Sequence, residues 1–96
     1  MMILITYDVS TETREGRRRL RRVAKTCLNY GQRVQKSVFE CQVNSMEMAS
    51  LKDQLLKEID LLKDSLRIYR IIEPLEKNRE EFGNRLAIDF ESALIV

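Results

Sequence analysis

Hydrophobic positions along the chain switch between two periods. From Met2 to Val9 the sequence reads Met-Ile-Leu-Ile-Thr-Tyr-Asp-Val, rich in β-branched and aromatic residues, and predicts a strand. Ile3, Ile5 and Tyr7 fall on one face, Leu4 and Thr6 on the other. A strand apolar on both faces belongs in the middle of a sheet. It ends in Asp8, before the polar turn Ser10-Thr11-Glu12-Thr13.

From Arg14 the period becomes helical. Leu20, Val23, Ala24, Cys27 and Leu28 form one stripe, which predicts a helix from about Arg14 to Tyr30, with Thr13 or Thr11 as N-cap and Gly31 as stop. Alternation returns over Arg33–Val43, too long for one ordinary strand. A bend near Lys36-Ser37 or a bulge would divide it, with Phe39, Cys41 and Val43 on the buried face. Asn44 and Glu47 form a capping pair for a second helix. Met48, Leu51, Leu55, Ile59 and Leu62 extend its stripe to about Lys63. Ser65 to Ile72 alternates again, Leu66 and Ile68 against Arg67, Tyr69 and Ile71, and Pro74 ends it.

The order β-α-β-β-α-β predicts an α+β, ferredoxin-like domain with both helices on one face of an antiparallel sheet. The other face is too apolar for water, so a homodimer through that open face is expected. Residues 1–96 form one domain: a core unit over 1–72 and an extension over 73–96. The extension is charged from Glu76 to Arg85, then alternates over Leu86–Glu91 and ends in Leu94-Ile95-Val96. An apolar end needs docking, and an extra C-terminal strand on a sheet edge, its own or the partner's, provides it.

The net charge is only +2, yet residues 14 to 36 carry nine Lys or Arg against the single acid Glu15. Such asymmetry points to a polyanionic partner. One or two arginines would be a solvated face. Arg17-Arg18-Arg19 followed by Arg21-Arg22, with few acids to pair along the helix, favours phosphate binding. Cys27 and Cys41 lie inside apolar patterns without metal-type spacing and read as small core residues of a reducing compartment. No secretory leader and no membrane span is expected, which places the chain in the cytoplasm.

The sequence contains no histidine. That excludes Ser-His-Asp and Cys-His nucleophiles and nearly all zinc sites. If the domain hydrolyses anything, carboxylates holding Mg²⁺ or Mn²⁺ are the remaining route. Asp8, at the end of a rigid central strand, is the candidate, although an acid there also suits a plain turn cap.

Tyr7-Asp8, the arginine-rich helix and Gly31-Gln32-Arg33-Val34-Gln35-Lys36-Ser37-Val38-Phe39-Glu40-Cys41 together resemble the CRISPR-associated adaptation family Cas2, across essentially the whole chain. The resemblance implies a prokaryotic homodimer in which Asp8 of each copy approaches the other and shares a divalent cation. It also implies that Tyr7, Arg33, Ser37 and Phe39 belong to the catalytic site or its surroundings. Implied substrates are double-stranded DNA or single-stranded RNA, and the implied partner is the CRISPR spacer integrase. The basic cluster supplies the expected nucleic-acid contacts: Arg14, Arg17, Arg18, Arg22, Arg33 and Lys36. With no histidine as general base, a slow nuclease is expected. The alternatives are a non-catalytic DNA-binding scaffold bridging the integrase and a ferredoxin-like ligand-binding regulator.

Overall fold

The computed structural model describes residues 1–83. β1 (Met2–Asp8), β2 (Gly31–Gln35), β3 (Val38–Gln42) and β4 (Ser65–Ile71) form one antiparallel sheet in the order β2-β3-β1-β4. α1 (Arg14–Leu28) and α2 (Ser45–Glu58) supply buried residues to one side of it. This is the expected ferredoxin-like α+β arrangement. β1 sits between β3 and β4 because its two apolar faces can be accommodated only there.

Alternation in β1 sends Ile3, Ile5 and Tyr7 into the core beside Phe39, Cys41 and Val43. The helices answer with Val23, Ala24, Cys27, Met48, Leu51 and Leu55. Fully burying a side chain such as Phe39 or Leu55 contributes roughly 2 kcal/mol. Burial pushes the Cys27 thiol up to about 12, with Cys41 adding to the effect, and Cys41 itself to about 11. Both are unreactive core residues at neutral pH.

Local chemistry sets the element ends. The Thr13 side chain accepts from the Gly16 N–H at 3.0 Å and caps α1. Asn44 and Glu47 form a reciprocal capping box on α2. The long alternating segment divides at Lys36-Ser37, and a bulge at Val34 leaves Arg33 opposite Phe39 and Gln35 opposite Val38.

Two expectations are corrected. α2 stops at Glu58, not Lys63: Ile59 is extended, and the Asp60 carboxylate accepts from the Leu62 N–H at 2.9 Å in a tight turn. Leu62 is therefore 96% exposed, off the buried stripe. α1 ends at Leu28, and Gly31 opens β2 instead of stopping the helix. Its lack of a side chain matters because a Cβ there would lie 2.7 Å from the Cys41 Cα.

The opposite face of the sheet carries Leu4 and Thr6 of β1 between Arg67 and Tyr69 of β4 and Val38 and Glu40 of β3. After β4 a short 3₁₀ turn at Leu75–Lys77 leads back to this side. There Arg79 Nη1 donates to Glu40 at 2.8 Å. Residues 79–82 thus lie beside β2 and β3, while Thr6, Arg67 and Tyr69 line a separate depression. The strand expected beyond residue 85 lies outside the described residues.

Candidate active site

Four segments meet at one rim of the sheet. β1 ends there with Asp8, β4 begins there with Ser65 as its ladder partner, and α1 starts after the short loop that follows. The β2–β3 turn joins them because the Ser37 carbonyl accepts from the Tyr7 N–H at 3.2 Å. Alternation turns Asp8 away from the core that buries Tyr7. Its carboxylate is exposed beside a shallow depression lined by Thr6, Ser65, Arg67 and Tyr69. Among the described residues no hydrogen bond or ion pair engages it, so the turn-cap reading of Asp8 has no support.

Tyr7, Arg33 and Phe39 come together on the other side, between sheet and helices. The Tyr7 and Phe39 rings stack with centroids 6.1 Å apart, and the Arg33 guanidinium lies 5.1 Å over the Phe39 ring. Arg33 is 7% exposed. Its Nε and Nη1, and the Tyr7 hydroxyl, have no hydrogen-bond partner of good geometry among the described residues. Burial raises the Tyr7 pKa, and the neighbouring Arg33 offsets part of the rise. Arg33 was expected at the nucleic-acid surface; its place is corrected to the core, because the ladder sets it opposite Phe39 on the helix side.

The remaining residues expected at nucleic acid are exposed. Arg14, Arg17 and Arg18 lie near the N-terminal end of α1, Arg22 a turn farther on, and Lys36 on the β2–β3 turn. Arg17 is tied to the Thr11 carbonyl at 3.1 Å, and Arg22 approaches Glu58 at 3.9 Å. Among the described residues no carboxylate pairs with Arg14 or Arg18. α1 packs on the face of the sheet opposite the Asp8 carboxylate, although its first turn, with Arg14 and Arg17, begins at the same rim.

The sequence pattern did not single out Asp64. Its side chain is closed to solvent. It accepts from Arg19 Nε at 2.8 Å and Nη2 at 3.2 Å, from the Ser10 N–H at 3.0 Å and from the Asp60 N–H at 2.9 Å. Burial pushes its carboxyl up, but Arg19 and the two backbone donors outweigh this and hold its pKa below the usual carboxylate value. Arg19 thereby leaves the phosphate-binding set. A separate constraint holds the same loop: a Cβ on Gly16 would lie 3.0 Å from the Ser10 carbonyl carbon, so only glycine lets the loop pass this close to α1.

Among the described residues no cluster of three or more His, Cys, Asp or Glu could hold a metal, and no helix is long and apolar enough to cross a membrane. A family model described as CRISPR associated protein Cas2 matches residues 1–79. A Moorella thermoacetica protein named CRISPR-associated endoribonuclease Cas2 1 is 57% identical over 96 residues, 100% of each chain. A Halalkalibacterium halodurans protein named CRISPR-associated endonuclease Cas2 is 54% identical over 95 residues, 99% of each chain. The crystal structure of Streptococcus pyogenes Cas2 has a TM-score of 0.79 at 51% identity and covers 86% of this chain and 100% of that one. Fold, family model and near-full-length identity agree, and the chain belongs to the CRISPR-associated protein Cas2 family.

Proposed function

We propose that the chain is a metal-dependent endonuclease of CRISPR adaptation, acting as a homodimer in the prokaryotic cytoplasm with double-stranded DNA and the spacer integrase. The observation that carries this reading is Asp8: an exposed carboxylate at the end of the central strand, unpaired among the described residues and beside the partly apolar open face. One chain offers one such ligand. A second copy across that face would double it, and Mg²⁺ suits one or two carboxylates completed by water. The donor set therefore fits Mg²⁺ or Mn²⁺ shared between two Asp8 side chains. When bound, the cation would supply Lewis acidity and charge neutralisation at a phosphodiester.

The chain's own residues do the rest. The Tyr7–Ser37 backbone bond and the Tyr7–Phe39–Arg33 stack fix the strand end from the core side. Arg14, Arg17, Arg18, Arg22 and Lys36 would hold phosphates without reading bases. The names of the relatives support nuclease activity on RNA or on nucleic acid generally. A second reading, a non-catalytic DNA-binding scaffold, is favoured by one observation: the arginines are carried by α1, which packs on the face of the sheet opposite the Asp8 carboxylate.

Asp8→Asn separates the two. Cleavage and binding of the same duplex are measured in Mg²⁺ or Mn²⁺. Under the nuclease reading, cleavage is lost while binding and the dimer persist. Full-rate cleavage by the mutant places the activity elsewhere. Binding without cleavage by either protein, in any metal, selects the scaffold.

A further inference from the structure

The carboxylate of Asp8 is exposed and, among the described residues, has no side-chain partner of its own. A shared metal site tolerates only about 0.5 Å of misplacement, so something else must fix the end of β1. Two observations identify it. Asp8 pairs in the ladder with Ser65, the residue directly after Asp64. Two residues beyond Asp8, the Ser10 N–H donates to Asp64 Oδ1. Asp64 thus reaches both sides of Asp8, once through the chain and once through space. Arg19 holds the same carboxylate through two of its nitrogens, and the Asp60 N–H fills a further acceptor site.

We propose that Asp64, oriented by Arg19, is a positioning residue for Asp8: it clamps the β1–α1 loop to the start of β4 and so sets where the metal-binding carboxylate stands. This rests on the reading of Asp8 as a metal ligand. Asp64 touches neither metal nor substrate. Its effect travels through the Ser10 amide and the Ser65 ladder pair. Groups that orient a ligand from behind alter metal affinity about tenfold or more when removed.

The full chain is tested as wild type, Asp8→Asn, Asp64→Asn and Arg19→Lys, with Mn²⁺ alone titrated by electron paramagnetic resonance. Nuclease kinetics and exchange of the Ser10 amide are followed in parallel. Asp64→Asn is expected to lower Mn²⁺ affinity about tenfold. Its kcat should fall with KM for nucleic acid nearly unchanged, and the Ser10 amide should exchange faster. A purely structural role would speed exchange and lower Tm but leave Mn²⁺ affinity at the wild-type value, and that result overturns the proposal. If Asp64→Asn does not fold, Arg19→Lys makes the comparison, since it keeps the charge and both backbone bonds to Asp64. Faster exchange of the Ser10 amide in Arg19→Lys beside undiminished Mn²⁺ affinity then overturns the proposal. Asp8→Asn separates the two ideas. Wild-type Mn²⁺ affinity in that variant removes the ligand assignment and the positioning role with it. Loss in Asp8→Asn beside full affinity in Asp64→Asn removes only the positioning role.

Discussion

Arg33 and Asp64 show how two charges are managed in one small domain. Arg33 is buried over the Phe39 ring and beside Tyr7, with two nitrogens that lack a well-formed hydrogen bond among the described residues, an expensive position for a cation. Arg33→Met would keep much of the stem packing and remove the charge, so Tm should hold or rise in a thermal melt. A fall of more than a few degrees would show that the guanidinium has a partner that stabilises it. Asp64 is the opposite case, fully paired. Its folded pKa lies below the unfolded value of about 4, so its contribution is present above that pH and is lost as pH falls through the folded pKa. Asp64→Ala should cost about 2 kcal/mol at pH 7, a partly screened version of a broken buried pair. The difference between mutant and wild type should shrink steadily in melts below about pH 4. An unchanged difference at pH 2 would assign the loss to packing instead of charge. Neither role was legible in the sequence. Arginine is so seldom buried that Arg33 reads as surface, and two of the three residues bonded to Asp64 lie 45 and 54 positions away.

At the scale of elements, α1 divides its arginines between two tasks. Arg19 turns inward to Asp64, while Arg14, Arg17, Arg18 and Arg22 stay outside. Replacing Arg17, Arg18 and Arg22 together with alanine should weaken binding to unrelated duplexes alike. It should also lower the slope of log K against log salt by about one for each phosphate no longer neutralised. Equal affinity and slope in a fluorescence titration would reduce the patch to a solvated face. The strands and most of the α1 stripe could be read from the sequence, because β1, the Lys36-Ser37 bend and the Asn44 cap each carry a local signal; Leu28, expected on that stripe, is 39% exposed at the helix end. The end of α2 could not be read this way. Leu62 continues the apolar spacing, and the Asp60 turn sends it into water.

For the whole molecule, the open part among the described residues is the sheet face around Thr6, Arg67 and Tyr69, with Leu4 half-buried beside it. A charge placed at its centre should decide whether a second copy sits there. Leu4→Lys is expected to give monomers in sedimentation velocity while the helix-side core keeps its far-UV signal. A dimer of unchanged strength would locate the interface elsewhere. The pattern of β1 announced this face, but not that residues 79–82 would lie over the β2–β3 side of it, since that path depends on the Arg79–Glu40 pair. The interior decides how such an assembly can be observed. The chain's two cysteines are both buried, with thiols raised to about 11 and about 12. Maleimide and nitroxide reagents at neutral pH therefore meet almost no thiolate, and the native chain is a silent background for labelling. A single cysteine introduced at exposed Lys36 would be the one reactive probe per chain, and the distance between two such probes would report the arrangement of the copies in solution.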